Sequence, residues 1–205
     1  MIAQLATTLP EGIEVELDGH YPAMFSYKIK NYALLNTSSR LTIKGSGLRS
    51  RGLERFQRQF LRELILLLLT DQEEQVRKLY EETLARFERH EFHIEDFCKT
   101  ETLSESLASY RQKVEEGKRN ASALYELALR SGRDYRAGDP LSFYVTGTRK
   151  NVTVYESCKL ANQWDPAHPD ENVAYYKAKL EELYEKFRVY LAHPEPPVQG
   201  VLDLG

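Results

Sequence analysis

Two stretches set cations and aromatic rings at spacings that could do chemistry. They are Tyr27-Lys28-Ile29-Lys30-Asn31-Tyr32 and Ile43-Lys44-Gly45-Ser46-Gly47-Leu48-Arg49-Ser50-Arg51-Gly52. Alternate residues of an extended strand share a face, so Lys28, Lys30 and Tyr32 are expected to point the same way. Two ammoniums and a phenol in a row match a phosphate backbone, or the minor-groove edge of a duplex. A sheet face on which tyrosine packs and lysine stays wet accounts for the same residues, and the residues alone leave both readings open. Gly45-Ser46-Gly47 before a helix could cradle a phosphate through backbone N–H groups, although an ordinary strand-to-helix turn needs the same glycines. No complete active site is visible. His90 and His93 have a metal-like spacing but no matching Cys or His, and read as surface histidines. The carboxylates sit in charged helix stretches such as Glu73-Glu74 and Glu181-Glu182, and no serine or cysteine lies in a nucleophile context. Neither catalytic nor metal-ligating residues are expected.

Charge is unevenly distributed. The 205 residues carry a formal net charge of −3. From Lys28 to Arg62, however, there are nine basic residues and one acid, Glu54, so that window is net +8 and the remainder is net −11. Such a window marks an interaction surface, and phosphate is its commonest partner. Acids elsewhere in the fold could also neutralise it.

Those residues need elements to hold them. The chain is long enough to bury a core without disulfides or metal. Its two cysteines, Cys98 and Cys158, read as reduced thiols of an intracellular protein, and a cytoplasmic location is expected. The longest apolar run, Leu64 to Leu69, is too short to span a bilayer, and no signal peptide is seen at the N-terminus. Period-two alternation predicts a strand over Gly12 to Leu17. Met24 to Leu35 and Leu41 to Ile43 predict a hairpin across Asn36-Thr37-Ser38-Ser39. Helical spacing begins at Leu53 and Phe56, with a second helix capped at Thr70-Asp71. Phe92 to Lys99 reads as a strand, and Ser104 starts a helix through Leu107 and Tyr110. Ala121 to Arg130 reads as a short helix closed by Gly132. Leu141 to Val145 and Val152 to Tyr155 read as paired strands, and Asn172 to Leu191 as a long amphipathic helix. The fold class is therefore α+β and mostly helical, with a small antiparallel sheet first and a helical domain with short hairpin strands after it.

These residues resemble the end of the palm and the start of the thumb in family B DNA polymerases. Lys30-Asn31-Tyr32 is similar to the family's Lys-x-Tyr motif on its last palm strands. Lys44-Gly45 and Arg49-Ser50-Arg51-Gly52 look like the Lys-Gly and Arg-rich turn into the first thumb helix. The run from Asp96 through Lys99 and Leu103 to Tyr110 resembles a thumb segment. Gly138-Asp139 through Tyr144-Val145 resembles a Gly-Asp-x-x-x-Tyr-Val hairpin, and Asp170 with Tyr175-Tyr176 an Asp-x-x-Tyr-Tyr segment. The likeness spans roughly residues 8 to 191 and implies three parts: palm strands over 1–50, a thumb-like domain over 51–192, and a tail over 193–205.

The resemblance implies primer–template DNA as the partner, with Lys28, Lys30, Tyr32, Lys44, Arg49, Arg51, Arg55 and Lys99 as the DNA-binding residues. It also implies an absence. The family's metal-binding aspartates, in Asp-x-x-Ser-Leu-Tyr-Pro-Ser and Tyr-Gly-Asp-Thr-Asp-Ser, do not occur here, so Mg²⁺ and dNTP are expected on a catalytic N-terminal polymerase chain. Ile29 stands where many members carry a second lysine. Gln199, Leu202 and Leu204 resemble a sliding-clamp peptide, with Gly205 in place of its aromatic anchor. A second reading keeps the basic window and discards the family: a stand-alone interaction module that binds an acidic protein.

Overall fold

The computed structural model describes residues 10, 13, 18–49 and 52–191. The expected strand over Gly12 to Leu17, apart from Ile13, lies outside them, as do Arg51 and the tail with Gln199, Leu202 and Leu204. The architecture is α+β. A three-stranded antiparallel sheet comes first: β1 (Ala23–Lys28), β2 (Asn31–Leu35) and β3 (Leu41–Lys44), in the order β1-β2-β3. Helices α1 (Ser46–Arg49), α2 (Arg55–Leu69), α3 (Gln75–Glu88) and the one-turn α4 (Ile94–Phe97) follow. Then come β4 (Lys99–Thr102), α5 (Leu107–Glu115), α6 (Ala123–Arg130), β5 (Pro140–Val145), β6 (Cys158–Leu160), a 3-10 turn and α7 (Val173–Arg188). The second sheet has the order β4-β5-β6 and is antiparallel throughout.

In the first sheet the pleat sorts the residues. Ala23, Leu35 and Leu41 form one cross-strand row, and Phe25, Ala33 and Ile43 another. Both rows face the helices, where Ala33 is fully buried. Phe25 and Tyr27 meet Phe187 of α7 at ring-centroid distances of 6.4 and 5.1 Å. The sheet thus shares one core with α2, α3, α4 and α7. Phe56 is its hub, meeting Phe87, Phe92, Phe97 and Tyr176 edge-on at 5.3 to 6.1 Å. A second core joins α5 and α6 to the inner face of the second sheet, with Tyr110 stacked on Tyr125 at 4.3 Å.

Four expectations are corrected. Met24 to Leu35 is two strands, because Ile29 and Lys30 turn the chain and Lys28 pairs with Asn31. Thr70 ends α2 instead of starting the next helix: its backbone N–H and its hydroxyl both donate to the Leu66 carbonyl, at 3.1 and 2.8 Å, closing the last turn. Asp71 then takes a left-handed φ of 54° and α3 begins only at Gln75. Phe92 to Lys99 is centred on α4, whose single turn buries Ile94 and Phe97 and so mimics alternation, and only Lys99 belongs to a strand. The partner of β5 is Cys158–Leu160, not Val152 to Tyr155; Val152 and Val154 instead pack against the core as parts of a loop. The final helix stands as expected, with Asn172 as its N-cap accepting from the Tyr175 N–H at 2.9 Å.

Candidate nucleic-acid interface

The outward face of the first sheet gathers the cations. Ser26, Tyr32 and Lys44 form one cross-strand row, with Tyr32 directly opposite Lys44. Directly opposed residues share a face, so the phenol and the ammonium lie side by side. Lys28 is exposed at the end of β1 and Arg49 at the end of α1, which Leu48 anchors in the core. Among the described residues, Lys28, Lys30, Lys44 and Arg49 have no acidic partner.

Lys30 is not on a strand face with Lys28 and Tyr32, as the alternation predicted. It sits in the β1–β2 turn with a left-handed φ of 62°. Lys28, Ile29 and Lys30 therefore surround a turn tip, while Tyr32 starts the next strand's outward row. The residue that sets this geometry is Asn31. Its Nδ2 donates to the Ile29 carbonyl at 2.9 Å, and its Oδ1 accepts from the Gly47 N–H at 2.5 Å. One side chain thus fastens the turn to the Gly45-Ser46-Gly47 segment. Gly45 makes the approach possible: it has a φ of +91°, and a Cβ there would lie 2.2 Å from the Lys30 carbonyl oxygen. The glycines act as a docking seat for the turn. Composition alone gave Asn31 no role, but its place in a polar break within an apolar run was a usable turn signal.

Two other expected contacts are already engaged. Arg55 pairs with Asp96 of α4 at 3.3 Å. Lys99 lies 3.7 Å from Glu54, which is 2% exposed and also holds Lys179 at 2.8 Å. Glu54, the one acid of the basic window, therefore ties the start of α2 to β4 and α7. Cavities of about 320 and 360 Å³ flank Lys99, the first lined by Phe97, Phe143, Tyr175 and Tyr176 and the second by Arg55, Arg58 and Cys98. Arg58 is turned back onto the Leu53 carbonyl.

His90 serves structure. His90 Nδ1 lies 2.7 Å from the buried Glu171, which also accepts from Trp164 Nε1 at 2.9 Å. Tyr144 donates to Asp170 at 2.6 Å, and burial followed by that carboxylate drives its hydroxyl far above the ordinary phenol range. Among the described residues no group of three His, Cys, Asp or Glu side chains converges as a metal site.

The thiols are passive. Burial, and then the Glu95 charge, pushes Cys98 up to about 12, and burial also raises Cys158. Since the thiolate is the reactive form, iodoacetamide at pH 8 is expected to leave both unlabelled in the folded protein and to modify both in urea. Fast labelling of Cys98 under native conditions, followed by mass spectrometry, contradicts this.

The family profile for DNA polymerase family B matches residues 1–187. The chain belongs to that family. Among solved structures, the family B DNA polymerase from the hyperthermophilic archaeon Pyrobaculum calidifontis is similar in fold. Its TM-score is 0.65 at 21% identity, over 90% of this chain and 23% of that one. This family B chain thus spans about a quarter of that polymerase's length. No curated protein sequence matches it.

Proposed function

We propose that this chain is the palm-end and thumb portion of a family B polymerase and grips the primer–template duplex. The outward row of Tyr32 beside Lys44, next to the Lys30 turn, carries the reading. It presents cations and a phenol on a rigid sheet, with no described acid to neutralise them. Backbone phosphates are the chemistry such a surface recognises without regard to sequence. Arg49 extends the row toward the helices. Arg55 and Lys99 have weaker claims, because each must leave or share a carboxylate to reach a phosphate.

Catalysis belongs to a segment other than this one. The aspartates that hold Mg²⁺ in the family motifs do not occur in these 205 residues. The unpaired edge of β1, among the described residues, is where further palm strands would continue the sheet. Primer extension with Mg²⁺ and dNTPs by this chain alone is expected to give no product.

Binding of a fluorescent primer–template duplex, followed by anisotropy at increasing salt, tests the grip. Four cations on phosphates predict a slope of about −3.6 in log affinity against log salt, or roughly a 150-fold loss between about 50 and 200 mM. A duplex affinity that does not respond to salt contradicts the proposal.

A further inference from the structure

The two hydrophobic cores do not close on each other everywhere. A cavity of about 320 Å³ lies where they meet. Phe97, Val145 and Tyr176 of the first core line it, with Phe143 of the second. Val154, which packs against both cores, lines it too. No residue of the first sheet reaches it, so it stands apart from the row of Tyr32 and Lys44. Small-molecule sites favour such junctions and span about 300–1,000 Å³. This volume is at the small end of that range and suits one or two fused rings.

The aromatic wall is fixed before any ligand arrives. The Tyr176 hydroxyl accepts from the Val145 N–H at 2.8 Å and donates to the Phe97 carbonyl at 3.2 Å. Its ring stacks on Phe97 at 4.5 Å, and Tyr175 meets it edge-on at 5.1 Å. A planar ring entering the cavity gains stacked or edge contacts to this set without having to order it first.

Charge is confined to the mouth, where Lys99 is half-buried and Glu101 exposed. Lys179 holds both Glu54 oxygens, at 2.8 and 3.2 Å, whereas Lys99 stands 3.7 Å from the nearer one. That distance is beyond hydrogen-bond reach, so the Lys99 ammonium keeps its donors for another acceptor. Ser122 lines the same cavity, and its side chain makes no capping bond to α6. A cationic ligand would meet the Lys99 ammonium, and a dianion would be opposed by Glu101. One negative charge is the best match.

We propose that this cavity binds a small aromatic monoacid, its ring against Phe97, Tyr175 and Tyr176 and its carboxylate on Lys99 Nζ and Ser122 Oγ. The site goes beyond the duplex grip and does not depend on it. A bound acid ties β4 to α7 across the junction of the cores, and it should raise the melting temperature as its concentration rises.

Calorimetric titration of the whole chain with 2-naphthoate and with 2-naphthamide, the same ring without the charge, tests the site. Wild type is expected to bind the acid about tenfold more tightly than the amide, the worth of one charge-assisted hydrogen bond. Lys99→Gln should weaken the acid about tenfold, leave the amide unchanged and so erase the difference. Ala123→Phe, which places a ring in the cavity from the first turn of α6, should abolish binding of both. Lys99→Gln alters only the mouth and carries the test if the filled variant does not fold. Equal binding of acid and amide by wild type, or an acid preference that survives in Lys99→Gln, overturns the carboxylate contact. Undiminished binding by a folded Ala123→Phe, or no binding of the acid by wild type at millimolar concentration, overturns the site.

Discussion

Gly45→Ala is expected to destabilise the protein by about 3 kcal/mol, combining a backbone conformation closed to alanine with a steric clash. The φ of +91° lies outside the regions open to an L-residue. The added Cβ would also sit 2.2 Å from the Lys30 carbonyl oxygen, 2.5 Å from Asn31 Oδ1 and 2.7 Å from Asn31 Cα. Two of those three atoms are backbone, so no rotamer change relieves the contact. The β1–β2 turn must move off its seat, and Lys30 moves with it. Stability and duplex affinity should therefore fall together. Gly47→Ala is the informative companion. Its Cβ would meet the Asn31 side chain, at 2.8 Å from Oδ1, and a side chain can swing away. That variant should cost about 1 kcal/mol, the worth of the lost hydrogen bond. Urea unfolding midpoints give both numbers. Equal midpoints for the two variants would show that the turn is not seated on Gly45.

The other large effect is expected at Glu54. Glu54→Ala removes a carboxylate that is 2% exposed and leaves Lys179 and Lys99 facing each other without it. Breaking a buried pair by deleting one partner costs about 3–5 kcal/mol when the other charge is stranded. The two lysine side chains keep 22% and 34% of their exposure, so the low end, about 3 kcal/mol, applies. The loss should come with loosening of the contact between α2 and α7, since Gln57 Nε2 also donates to the Lys179 carbonyl at 3.2 Å in the same place. Lys99→Ala, by contrast, leaves Glu54 still paired and should cost under about 1 kcal/mol. A double-mutant cycle between Glu54 and Lys179 separates the pair from the rest. A coupling near zero in that cycle would mean that the carboxylate acts through packing alone.

The sequence showed some of this and hid the rest for physical reasons. Helix α7 was legible because a capping Asn172 precedes an apolar stripe of Tyr176, Leu180, Leu183 and Phe187. Strand β5 was legible because its four buried residues, Leu141, Phe143, Tyr144 and Val145, make a short apolar run. The β1–β2 turn was hidden: neither Ile29 nor Lys30 is a turn former, and the conformation is imposed by Asn31 and by a glycine fifteen residues from Lys30. Strand β6 was hidden because Val152 and Val154 have strand propensity but are drawn into the core as loop residues. The cation cluster was legible as a charge window. Which cations are free was not, because Asp96 reaches Arg55 of the window, and Glu54 reaches Lys99 outside it, only through tertiary packing.

In the proposed grip, the Lys30 turn and the outward row of the first sheet hold the duplex phosphates. The most direct test compares salt slopes of duplex affinity for wild type, Lys30→Ala with Lys44→Ala, and a control pair, Arg77→Ala with Lys78→Ala on α3. Both double variants remove the same charge. The first should make the slope about 1.8 less negative, because two phosphates are no longer neutralised, while the control leaves it unchanged. Equal changes in the two slopes, or none in the first, would contradict the account.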